Sequence, residues 1–154
     1  MHRESPSTDD RAQEGSAALE FILVGLILLV PIVYLIVALG EIQSHALGVE
    51  TGARQLARTI ATSGDAATAD ARGERVMAAI AEEYGIDRDT MTIDIACARG
   101  AVACPEAGAT LLVTVSASVA LPLVPAVLGL DALARVPVEA TGAQKVSRYW
   151  VGLP

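Results

Sequence analysis

Between Phe21 and Gly40 the chain carries no charged residue, and Glu20 and Glu41 close the run at either end. Of the nineteen residues from Phe21 to Leu39, fifteen are Leu, Ile, Val or Phe. A helix needs about 20 apolar residues to cross a bilayer. Each such side chain favours insertion by roughly 0.3–0.6 kcal/mol when central. Gly25 and Pro31 are tolerable in a membrane helix. Pro31 cannot donate to the Ile27 carbonyl, which predicts a mild kink. With 154 residues in all, one spanning segment leaves room for one small domain.

Helical patterning continues past Gly40. Ile42, Ala46, Val49, Ala53, Leu56 and Ile60 recur every three or four residues and mark one face. Glu50 and Arg54 have the spacing of a favourable i, i+4 pair. One continuous helix from about Ser16 to about Thr59 is therefore expected, roughly 65 Å long at about 1.5 Å per residue. Its first half is apolar all round. Its second half is amphipathic, as suits a helix that packs on copies of itself. Arg3 and Arg11 before the run balance Arg54 and Arg58 after it, so the positive-inside rule barely sets an orientation. A cleaved secretory signal, with a cut after Ala38, is the alternative. Against it, such apolar regions usually run about 7–15 residues behind a basic stretch. Here Arg3 and Arg11 are offset by Glu4, Asp9, Asp10 and Glu14.

The remainder reads as a small head. Hydrophobic residues make up 53% of the chain but aromatics only 3%, so its core must be built from Ala, Val, Leu and Ile. Ser63–Arg75 reads as a turn or linker feeding a second helix, with Asp65 a candidate N-cap. Val76, Ala79, Ile80 and Tyr84 supply a narrow apolar stripe, and Gly85 is a natural stop. Thr90–Ala98 alternates as a half-buried strand, with Met91, Ile93 and Ile95 inward. Ala109–Leu121 is a second strand, with Val113, Val115, Ala117 and Val119 on one face. Leu121–Leu133, broken by Pro122 and Pro125, reads as an apolar loop or short helical turn. Ala134–Trp150 reads as an irregular third strand, which Pro137 demotes towards an edge. The predicted fold class is α+β: a long N-terminal transmembrane and stalk helix, then a head of one helix on a short antiparallel sheet.

Cys97 and Cys104 flank the loop between the first two strands. Bridged, they would staple it and stabilise the head by about 2.5 kcal/mol, in an oxidising, extracytoplasmic compartment. Two reduced cysteines in a cytosolic protein are the alternative, which the spanning segment upstream disfavours.

Several function classes lose support. A net charge of −7 offers no basic stripe for nucleic acid. Ser44, Ser116, Ser118 and Ser147 lack a nucleophile-elbow context. Phosphate-binding glycine loops are absent. Asp87, Asp89 and Asp94 are too sparse for a calcium loop. Glu82 and Glu83 read as a solvated helix face, and His45 as a solvent or packing residue. No cofactor, metal, small-molecule substrate or enzyme constellation is expected. Tyr149 and Trp150 are read as capping the core, or else as meeting a partner or lipid headgroups.

Glu20 remains. A carboxylate at the lip of a span can sit at headgroup level at little energetic penalty, so position alone gives it no role. Its neighbours do. "GSAALEF" (15–21) resembles the type IV pilin processing site. With the apolar run and the following "GVETGARQLART" (48–59), it looks like the TadE-like pseudopilins of tight-adherence pilus systems. The resemblance covers Gly15 to about Ile60 well and the strands more loosely. It implies that a prepilin peptidase cuts after Gly15 from the cytoplasmic side, making Ser16 the new N-terminus. Residues 1–15 would be a leader, 16–60 a transmembrane and amphipathic stalk, and 61–154 an extracytoplasmic head. The new α-amine, with an ordinary pKa near 7.7–8.0, would meet Glu20 of a neighbouring subunit beside Phe21 and set helix register during assembly. Ser16 stands where the best-known pilins carry a methylatable Phe, so N-methylation is not expected. The implied partners are the membrane, the peptidase, other pilins or pseudopilins, and tight-adherence secretion components. The implied location is the cell membrane as a single-pass protein, with incorporation into an extracellular pilus as an extension. The head's size favours a minor or accessory subunit. An uncleaved single-pass protein whose head binds an extracellular partner is the second reading, and a small secreted domain the third.

Overall fold

The computed structural model describes residues 8–98, 104–124 and 127–151. Helix α1 spans Thr8–Thr62, with Pro31 inside it. Helix α2 follows at Ala66–Tyr84, then a 3-10 turn at Arg88–Thr90. The strands are β1 at Thr92–Cys97, β2 at Thr110–Ala120 and β3 at Arg135–Lys145, with a four-residue helix α3 at Leu130–Leu133 between the last two. The chain is α+β, as its patterning predicts. It divides into two compact units, Met1–Leu39 and Gly40–Pro154.

The first unit contains only helix among its described residues. Every Leu, Ile, Val and Phe from Leu19 to Leu39 is exposed. The second unit contains the rest of α1 and everything after it. Its sheet is antiparallel in the order β1-β2-β3. Along β2 the residues alternate strictly, with Leu111, Val113, Val115, Ala117 and Val119 buried. They pack in one cluster with Val49, Ala53, Leu56, Ala57 and Ile60 of α1 and Met77 of α2. The amphipathic face of α1 is thus covered from within the chain, by this sheet and α2. The sequence suggested copies of the helix as its cover.

Small residues make that packing close. A methyl group on Gly142 of β3 would overlap the backbone carbonyl of Ala53, so only glycine lets strand and helix meet there. On the other side of α1, the ring of Tyr84 fills the space a side chain at Gly48 would need, 2.6 Å from the nearest ring carbon.

Local chemistry ends the elements where the sequence indicates, with three differences. Asp65 caps α2, accepting from the Thr68 backbone N–H at 2.8 Å. Gly85 ends α2 in the left-handed conformation, φ 65°. Here the first difference arises: the turn before α2 is only three residues long, because the alanine-rich stretch from Ala66 is already helix. The buried stripe of α2 is accordingly Ala69, Gly73, Met77, Ile80 and Ala81; Val76 is half-buried and Ala79 exposed. Second, β3 is regular, paired to β2 from Arg135 to Lys145. Its edge position accommodates Pro137, since a nitrogen facing an open edge forfeits no ladder bond. Third, Ile93 and Ile95 pair with Val115 and Val113 yet remain 43% exposed, because β1 is the other edge strand. Cys97 and Cys104 form a disulfide with Cα atoms 5.6 Å apart. Trp150 is buried in the core at 8% exposure while Tyr149 is 82% exposed, so the two aromatics have different roles.

Candidate functional site

The expected cleavage and assembly residues lie along the first unit. Gly15 and Ser16 fall inside α1. Residues 1–7 of the expected leader lie outside the described residues. Glu20 is exposed at the N-terminal lip of the apolar run, and Phe21 beside it is 80% exposed. From Phe21 to Gly40 the helix presents twenty uncharged residues. At about 1.5 Å per residue that is roughly 30 Å, the thickness of a bilayer's hydrocarbon core. Among the described residues, Ala17–Thr62 is the one helix long and apolar enough to cross a membrane.

Exposed apolar side chains on all sides of a helix are unfavourable in water by roughly 1.5–3 kcal/mol for each large one that could otherwise be buried. A helix apolar all round belongs in a protein interior or a membrane. Among the described residues this surface is mainly apolar side chains, with the Glu20 carboxylate at its lip. Its possible interactions are non-polar packing along the rod and one carboxylate at its end.

In the second unit the disulfide is formed as expected. It closes the β1–β2 connection, at the end of the sheet where Val146 N–H donates to Ala109 O and Ser147 N–H to Ala61 O. At the opposite end of this unit, Glu41, His45, Gly85, Asp87, Leu121 and Arg135 are among the residues lining a cavity of about 350 Å³. Beyond the solvent or packing role that the sequence suggests, His45 has an acidic neighbour, Glu41, at helical spacing. Its Nδ1 lies 2.9 Å from the Glu41 carbonyl oxygen and 3.6 Å from a Glu41 carboxylate oxygen. Its Nε2 lies 3.3 Å from the Gly85 carbonyl oxygen. Both carbonyls are acceptors, so a ring nitrogen that bonds either of them must carry a proton. The Glu41-to-His45 interval of four residues was the available signal. Arg54 bonds Glu50, the pair the sequence suggests, and Arg88 bonds Glu74 at 2.9 Å. Among the described residues, no group of three His, Cys, Asp or Glu side chains could hold a metal ion.

Compared with known proteins, the chain matches no family model, no curated sequence and no solved structure.

Proposed function

We propose that this protein is a structural subunit of the TadE-like pseudopilin kind, trimmed after Gly15 and assembled through its N-terminal helix. The observation that carries the reading is the bare apolar helix from Phe21 to Leu39 with Glu20 at its lip. Such a surface is stable in lipid, and it can exchange lipid for neighbouring helices of the same kind. The protein's work is packing and anchoring. The disulfide supports an oxidising location for the head, with the N-terminus on the cytoplasmic side.

The Glu20 carboxylate gains its partner only after processing, when Ser16 acquires a charged α-amine. An ion pair of this type adds little net stability but discriminates between registers. The intact mass and N-terminal sequence of the mature protein test the reading: a chain starting at Ser16 supports it. Glu20→Ala should insert into membranes normally and assemble poorly. Normal assembly of that variant removes Glu20 from the account.

A second reading is an untrimmed single-pass protein whose head binds an extracellular partner. It is favoured by α1 running unbroken through Gly15 and Ser16, since a peptide bond held in a helix is available to a peptidase only after that turn opens. A mature chain starting at Met1 selects it.

A further inference from the structure

Outside α1, exposed large apolar side chains concentrate in one place. The connection between β2 and β3 presents Leu123, Val127, Leu128, Leu130 and Leu133 to solvent, with Leu128 97%, Leu123 84% and Leu133 83% exposed. Hydrogen bonds tie down its two ends. Leu121 N–H donates to the Ala134 carbonyl at 3.0 Å and closes its base, and Ala134 N–H donates to Leu130 O at 2.9 Å. The two outermost leucines, Leu123 and Leu128, hold positive φ angles of 63° and 57°, a conformation side-chain-bearing residues adopt infrequently. Apolar patches of this kind on an otherwise well-packed unit mark a contact surface.

The fold indicates what lies against it. Leu121 and Pro122, at the root of the connection, line the same cavity as Glu41 and His45. Glu41 directly follows Gly40, where the uncharged run ends. The apolar connection therefore sits at the end of this unit where its chain begins, whereas the disulfide-closed loop lies at the other end of the sheet. If α1 crosses a bilayer as proposed above, chain connectivity keeps that end of the unit at the lipid surface.

We propose that the β2–β3 connection is a membrane-contacting loop, its leucines inserted among the acyl chains beside the point where α1 leaves the bilayer. Apolar side chains anchored this way reach about 5–10 Å into the headgroup and acyl boundary. Arg135 at the end of the connection supplies a cation at phosphate level, its aliphatic stem passing the apolar layer. Asp131 is the one acidic residue among the fourteen from Leu121 to Ala134, and its carboxylate remains among the headgroups. The occupant is a phospholipid surface. A second copy of the chain on the same leucines is the competing outcome.

The inference rests on the proposed membrane span, and the test separates the two. The full chain is reconstituted in phosphatidylcholine vesicles, a portion of whose lipids carry brominated acyl chains. An environment-sensitive fluorophore is attached to a single added thiol in Leu128→Cys, Leu29→Cys or Thr62→Cys; the native cysteines are paired and do not react. Leu128 is exposed, so its replacement leaves the fold intact. The expected result is a blue-shifted label at 128, quenched at least half as strongly as the span label at 29, with the label at 62 unquenched. Quenching at 29 without quenching at 128 overturns the loop while leaving the span. Failure to quench at 29 overturns the span and the loop with it. A shielded but unquenched label at 128, whose shielding fades as protein is diluted in lipid, assigns the leucines to a second copy and also overturns the proposal.

Discussion

Asp65 shows how much a single side chain can fix. It accepts from the Thr68 backbone N–H and from the Thr68 hydroxyl, and these bonds, the backbone one foremost, hold its carboxyl below the usual range. A carboxyl whose folded pKa is depressed contributes stability that is present above its unfolded pKa, about 3.9. That contribution is lost as pH falls through the lower folded value. Asp65→Ala should therefore lower the melting temperature of the second unit at pH 7, and the deficit should shrink below pH 4. Asp65→Asn keeps an acceptor for Thr68 and should give a smaller deficit at pH 7. Thermal unfolding at several pH values, followed by circular dichroism, checks all three. This cap and the Gly85 stop were legible because both depend on chemistry within a few residues. The roles of Gly142 and Gly48 were not, since a glycine needed for close approach gives no local sign of what approaches.

At the scale of elements, hydrophobic period located faces and left open what covers them. The stripe from Ile42 to Ile60 was legible, but its cover was not, because a buried face reads identically under a neighbouring copy or under the chain's own sheet. The inward face of β1 was also legible in period but not in degree, since edge exposure is set by the extent of the neighbouring layer. The start of α2 was missed for a different reason: in an alanine-rich stretch, helix propensity is high but apolar periodicity is faint. These distinctions carry an energetic consequence. Leu111 is fully buried in the central strand, and Leu111→Ala should destabilise the unit by about 2–5 kcal/mol. Ile95→Ala on β1 removes a side chain that is only partly covered and should be clearly milder. Urea unfolding of the full chain in detergent, followed through Trp150 fluorescence, measures both. Equal losses would mean that β1 is covered in solution.

At the scale of the molecule, the boundary between units falls at Leu39 and Gly40, within a single helix. The sequence alone suggested a head starting after residue 60, since the amphipathic segment continues the span in helical phase. The core clarifies the division, because Val49, Ala53, Leu56, Ala57 and Ile60 belong to the same cluster as the sheet. A fragment starting at Gly40 should fold cooperatively, whereas one starting at Ser63 should remain unfolded. Denaturant titration of the two fragments decides this, and a folded Ser63 fragment would contradict the assignment of α1 to the core. The β2–β3 leucines give the same unit a second, separate demand on its surroundings. Trp150 and Val146 join that cluster too, and they leave the ribosome long after Val49. Until they emerge, the nascent product shows a greasy stripe that its own later residues will hide. Premature termination would therefore release a polypeptide whose uncovered stripe invites proteolytic surveillance.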